Sequence, residues 1–166
     1  MTRLILVRHG QTNYNLWKRF QGQLDVMLNE TGIAQASVLK DYVLANELPL
    51  DEIWASDLQR TRATVGPIAD ALGLPLHLHA GLREINTGDF TDKTHDDVDR
   101  LYPEYRKRFT NGYPDPCYPN GESISQLNKR IYETVCDIAK NADGKTVLIA
   151  SHGGSINAFM RESFIR

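Results

Sequence analysis

Two short apolar runs constrain this chain most: Leu4-Ile5-Leu6-Val7 near its start and Val147-Leu148-Ile149-Ala150 near its end. Neither alternates apolar with polar residues. Each therefore reads as a strand covered on both faces, and such strands belong to parallel sheets sandwiched between helices. The chain between them alternates in kind. Ile33 to Asn46 carries Val38, Leu39, Tyr42 and Val43 at helical spacing, after the polar N-cap candidates Asn29 to Gly32. Glu52 to Ser56 reads as a second strand and Asp57 to Leu72 as a helix interrupted at Gly66-Pro67. Leu74 to His79 reads as a third strand, Thr94 to Arg108 as one polar helix, and Tyr113 to Pro116 as irregular chain. Ser123 to Gln126 fits a capping box, followed by an apolar face of Ile124, Leu127, Ile131, Val135 and Ile138. Thr146 to Ala150 is the last strand, and a helix runs from Gly153 onward. This alternation predicts an α/β three-layer sandwich: a mainly parallel central sheet with helices on both faces.

The 166 residues suit a single domain, 1–166. A chain 41 % hydrophobic and 24 % charged is neither disordered nor a coiled coil. Its net charge of −2 offers no basic surplus for a nucleic-acid partner, and Arg106-Lys107-Arg108 reads as a solvated helix face. No apolar run approaches the roughly 20 residues that span a bilayer, so no membrane partner is expected. Met1-Thr2-Arg3 leads directly into the first strand without a signal-peptide pattern. Cys117 and Cys136 make neither a metal spacing nor a disulfide scaffold. Together these features point to a reduced, cytoplasmic setting.

Ligands of α/β sheets sit at the carboxyl ends of strands. Three such ends carry chemistry here: Arg8-His9-Gly10; Ser56-Asp57 with Arg60 one turn later; and Ser151-His152-Gly153-Gly154. Brought together, two imidazoles and two guanidiniums would make a strongly cationic pocket. Its natural guest is an anion with several oxygens, such as phosphate. Gly153-Gly154 at a helix start would add backbone N–H groups. Taken singly, each residue has a plainer reading: a histidine after a strand is ordinarily a capping or surface residue, and Arg8 alone an ion-pair partner. Spacing alone leaves both readings open. No G-x-x-x-x-G-K-[ST] loop, G-x-G-x-x-G turn after a strand, G-x-S-x-G elbow or H-E-x-x-H helix occurs. Neither cysteine is followed six residues later by arginine. His77 and His79 face one side of a predicted strand, where a solvated face competes with a metal pair. With no other nucleophile favoured, histidine becomes the candidate for covalent phosphoryl transfer.

Leu6-Val7-Arg8-His9-Gly10-Gln11-Thr12 resembles the R-H-G-[EQ]-[ST] signature of the histidine phosphatase (phosphoglycerate mutase-like) superfamily. Asn15, Arg19-Phe20-Gln21-Gly22, Leu28 to Gly32, Ser56 to Thr61, Leu82-Arg83-Glu84 and Ser151-His152-Gly153 resemble its further motifs, in the family's order. The resemblance implies that His9 is the nucleophile and becomes a phosphohistidine. It implies that Arg8, Arg60 and His152 bind the transferring phosphoryl group, helped by Asn15, the Gly153 N–H and the Gln21-Gly22 loop. Glu84 would protonate the leaving alkoxide and then deprotonate the attacking water. The charge of phosphoryl transfer, usually met by metal ions, would be met by side chains, with no metal and no cofactor.

The R-F-Q-G-Q form, with Gln21 where mutases carry threonine, looks like the phosphatase branch, and the segment 86–121 is short for a mutase lid. The resemblance thus implies a metal-independent hydrolase of the histidine acid phosphatase type acting on a small phosphorylated metabolite. Two alternatives stand beside it: a phosphoglycerate mutase-type transferase, or an inactive phosphate-binding regulatory module. Tyr102, Tyr105, Phe109, Tyr113 and Tyr118 would line an entrance or simply pack. The chain stops at Ile165-Arg166, before the strand that usually finishes the sheet edge, and an unpaired edge predicts a homodimer.

Overall fold

Every strand of the sheet runs parallel to its neighbours, in the order β1 (Arg3–Arg8), β4 (Thr146–Ser151), β2 (Glu52–Ala55), β3 (Leu76–Leu78). The computed structural model describes residues 1–110 and 114–165, the side chains of Arg106, Phe109, Thr110 and Ile165 excepted. Tyr113 and the side chains of Phe109 and Arg106 thus lie outside the described residues.

β4 is an inner strand and explains its own unbroken apolar run. Val147 and Ile149 join one core with Leu127, Ile131, Val135 and Ile138 of α6 (Ile124–Asn141) and Ala158 of α7 (Gly153–Ile165). Leu148 and Ala150 join the opposite core with Val43 of α2 (Glu30–Ala45) and Val65, Ile68 and Ala69 of α3 (Gln59–Leu72). Alternate side chains of one strand thus feed two apolar layers, the three-layer α/β sandwich the alternation predicts. β1 stands at a sheet edge. Its Leu4 and Leu6 pack against the first core, and Ile5 and Val7 against the second, only partly buried.

The caps match the sequence where side chains carry them. Asn29 accepts from the Gly32 N–H at 2.9 Å and starts α2. Ser123 and Gln126 exchange both bonds of a capping box ahead of α6. Another box, Thr12 with Asn15, starts the one-turn α1 (Asn13–Leu16), which the apolar pattern does not announce.

Several expectations change. α3 continues through Pro67 without a break. A proline inside a helix gives up one hydrogen bond and crowds the preceding turn; Gly66, having no Cβ, removes the further clash with the residue before it. The polar helix expected over 94–108 is two, α4 (His95–Leu101) and α5 (Pro103–Thr110), because the residue before a proline is pushed out of the helical region: Tyr102 has φ −135° and ψ 50°. β3 starts at Leu76, since Pro75 has no N–H to give the ladder. On α2 only Val43 of the apolar set is buried; Leu39 is partly so, while Val38 and Tyr42 are 68 % and 58 % exposed. Among the described residues, no helix is long and apolar enough to cross a membrane.

Candidate active site

The register Arg8↔Ser151 and Ala55↔Ala150 brings three strand ends level. His9 follows β1, His152 follows β4, and Arg60 lies in the first turn of α3 after β2. All three are buried, Arg60 and His152 almost completely.

His9 Nδ1 lies 2.7 Å from the Gly10 carbonyl. A carbonyl only accepts, so Nδ1 carries the proton and Nε2 keeps its lone pair. Burial, with the guanidiniums of Arg60 and Arg8 nearby, pushes the His9 pKa down to about 4, against the opposing pull of the Gly10 bond. The ring is therefore neutral at neutral pH. The two imidazole centroids are 5.1 Å apart. His152 Nδ1 receives the Arg60 Nε–H at 3.3 Å, so its proton is on Nε2, a buried atom without a partner. Burial first, then the surrounding arginines and His9, hold His152 well below its ordinary value.

The positive charge thus comes from Arg8 and Arg60, not from four cationic groups as the sequence suggests. Both histidines are driven neutral by burial and by those same arginines. Burial lowers Arg60 to about 10, with Glu84 and Asp25 pulling it back up, so it stays charged at neutral pH. Its Nη1 and Nη2 donate to the Leu24 and Gly22 carbonyls at 2.7 and 2.8 Å. The Thr64 hydroxyl accepts from the Gly10 N–H at 2.9 Å and donates to the Arg60 carbonyl at 2.7 Å, tying the nucleophile's turn to α3.

The Arg8 side chain makes no hydrogen bond or ion pair among the described residues and passes beside Gly153, where an added Cβ would sit 3.5 Å from Arg8 Nε. Arg8, His9, Gln11, Asn15 and Gln35 line a cavity of about 290 Å³. The Thr12 hydroxyl lies 3.0 Å from both Asn15 Oδ1 and Gln21 Oε1. Gln21 is thereby held at Thr12, and the Asn15 group left to meet an anion is its Nδ2. Gly22 supplies its carbonyl to Arg60. Its φ of +49° and the 2.3 Å that would separate a Cβ from Thr87 Oγ1 require glycine.

Glu84 sits across the first turn of α7. Its Oε2 accepts from the Gly154 N–H and its Oε1 from the Ile85 N–H, both at 3.0 Å. A Cβ on Gly154 would meet Glu84 Oε1 at 2.4 Å, so the carboxylate fits there only against glycine. His77 and His79, for which a solvated strand face competes with a metal pair, are engaged within the protein: His77 stacks on Trp54 and His79 Nδ1 accepts from the Gly81 N–H. Among the described residues no group of three or more His, Cys, Asp or Glu gathers as a metal site.

The sequence model of the histidine phosphatase superfamily, branch 1, matches residues 4–164. This chain belongs to the histidine phosphatase superfamily. The probable phosphoglycerate mutase GpmB of Yersinia pestis is 35 % identical over 163 residues, covering 96 % of this chain and 74 % of that protein. Among solved histidine phosphatase-like structures, a phosphoserine phosphatase from Entamoeba histolytica in complex with phosphoserine superposes with a TM-score of 0.84 at 31 % identity, over 96 % of this chain and 78 % of its own. A mycobacterial glucosyl-3-phosphoglycerate phosphatase gives 0.81 at 34 % identity, over 96 % and 79 %. For a member of this superfamily, the sequence reading omitted Thr64, Gln11, Gln35 and Ser155. Thr64 had a signal: Arg60, Thr61 and Thr64 put polar atoms on the buried face of α3 beside Val65 and Ile68.

Proposed function

We propose that this protein is a metal-independent phosphomonoesterase of the histidine acid phosphatase type, working through a phosphohistidine on His9. One observation carries the reading: the free lone pair of His9 Nε2 belongs to a ring 5.1 Å from that of His152, whose Nε2–H has no partner. Such a pair suits a phosphoryl group held between them.

In the first step His9 Nε2 attacks phosphorus and the P–O ester bond breaks. The leaving oxygen takes the proton of Glu84. Arg8, Arg60 and the His152 Nε2–H meet the charge on the equatorial oxygens. In the second step water attacks phosphorus, the P–N bond breaks, and the water proton passes to the Glu84 carboxylate, releasing phosphate. A substrate dianion favours protonated Glu84 in the first step, because like charge disfavours a carboxylate.

The small, amide-lined cavity favours a compact polar phosphomonoester. The solved relatives named as phosphatases support hydrolysis. The relatives named as probable mutases make phosphoglycerate isomerisation the second reading. Hydrolysis of p-nitrophenyl phosphate in EDTA, with phosphoenzyme trapping, tests the proposal. Activity is expected, and His9→Ala should abolish turnover and labelling. Full labelling of His9→Ala would remove His9 as nucleophile, and interconversion of phosphoglycerates without hydrolysis would establish the transferase.

A further inference from the structure

Glu84 lies on neither helix nor strand, so its place depends on what grips the surrounding backbone. Gln23, Ser151 and Ser155 each hold one carbonyl of this stretch, those of Glu84, Leu82 and Arg83 at 3.1, 2.8 and 2.8 Å, and Arg130 on α6 holds three. Its Nη1 donates to the carbonyls of Gly81 and Arg83, both at 2.9 Å, and its Nη2 to the carbonyl of Glu84 at 3.3 Å. Its Nε and Nη2 also form a bidentate pair with the two Glu122 oxygens, each at 2.8 Å. Five bonds use the five N–H groups of a guanidinium. Glu122 closes the loop from the far side: its Oε2 accepts from the Asn86 N–H at 2.7 Å, and its own N–H donates to the Asn86 carbonyl at 2.9 Å. The pair is largely buried, with side-chain exposures of 23 % and 19 %. Arg130 stands on the helix whose Leu127, Ile131, Val135 and Ile138 are packed into the core, so its base does not move.

We propose that Arg130 and Glu122 are positioning residues for the proton transfer at Glu84. They bracket residues 81–86 and transmit the fixed place of α6 to a carboxyl group that must meet the leaving oxygen within hydrogen-bond reach. Neither residue touches the reacting atoms. Lysine has one compact ammonium and cannot span four acceptor residues, so charge alone does not replace Arg130. This inference rests on Glu84 as the acid, and its test separates the two.

Values of kcat/KM report the steps up to phosphoenzyme formation, where the leaving oxygen takes its proton. p-Nitrophenoxide leaves without help; phenoxide needs the proton more. The ratio of kcat/KM for phenyl phosphate to that for p-nitrophenyl phosphate therefore reads acid catalysis within one pocket. Glu84→Gln should lower the ratio about tenfold or more. Arg130→Lys and Glu122→Gln should each lower it by about threefold or more, since small displacements of a catalytic group are costly. If Glu84→Gln lowers the ratio and either folded variant does not, the positioning role is overturned. If Glu84→Gln leaves the ratio unchanged, the acid assignment itself falls, and this inference with it. A purely structural role would lower stability and both rates together, leaving the ratio intact. Near-ultraviolet circular dichroism identifies the folded variants, and Glu122→Gln serves where Arg130→Lys does not fold.

Discussion

The Arg60 Nε–H points at His152 Nδ1 from 3.3 Å, and this contact decides which nitrogen of His152 carries the proton. A guanidinium cannot accept a hydrogen bond. Nδ1 must therefore hold the lone pair, and the proton sits on the buried, unpartnered Nε2. A buried donor without an acceptor is costly in the empty protein. Under the proposed function a phosphoryl oxygen would accept from that N–H, placing binding energy where the charge of the reaction develops.

His152→Ala should therefore lower kcat/KM for p-nitrophenyl phosphate by about 10²- to 10³-fold, the usual effect of removing one preorganised donor. His152→Gln, which can return an N–H, should recover part of the loss. Equal rates for the two variants would show that volume rather than the donor matters.

Stability should fall with acid through the His9 imidazole. Its folded pKa is about 4 against an ordinary 6.5, so between these values the unfolded chain binds a proton that the folded chain refuses. The lost stability is fully developed below about pH 4 and amounts to about 3 kcal/mol from this residue. His152 adds in the same direction. Urea midpoints measured from pH 7 to 4.5 should decline, and His9→Gln should flatten the slope. A slope unchanged by His9→Gln would remove His9 from the account.

Gly22→Ala should destabilise the protein by about 1–3 kcal/mol, because a side chain at φ +49° is strained and its Cβ meets Thr87 Oγ1. The same change should weaken competitive inhibition by orthophosphate, since the Gly22 carbonyl holds Arg60. Thermal melts and inhibition constants check both effects. Loss of stability with unchanged phosphate affinity would mean Arg60 holds its place through Leu24 and His152 alone.

The fold was legible where burial imposes a pattern. The unbroken run of β4 reflects two cores on one strand, and the capping boxes need only neighbours in sequence. The errors came where a local rule met a particular partner. Pro67 predicts a break, yet α3 runs through it, with Gly66 offering no Cβ to crowd the proline ring. Val38 and Tyr42 have helical spacing, yet they face outward from α2. In the site, the strand-end residues were readable because each follows an apolar run. The lowered pKa values of the two imidazoles were not, because they depend on burial and on arginines from other elements. The grip of Arg130 was equally hidden, since three of its five bonds go to backbone carbonyls, which every residue has.

Thr64→Val should cost about 1–3 kcal/mol, by leaving the buried Gly10 N–H without an acceptor. It should also broaden the His9 ring resonances by freeing the turn that carries them. Sharp resonances in a destabilised variant would confine Thr64 to stability.

That hydroxyl bridge ties Gly10, next to His9, through Thr64 to Arg60. The cavity beside His9 is lined in part by the side-chain amides Gln11 and Gln35, which take no part in those bonds. Under the proposed function, a change of substrate through those amides would therefore leave the tie between Gly10 and Arg60 as it is.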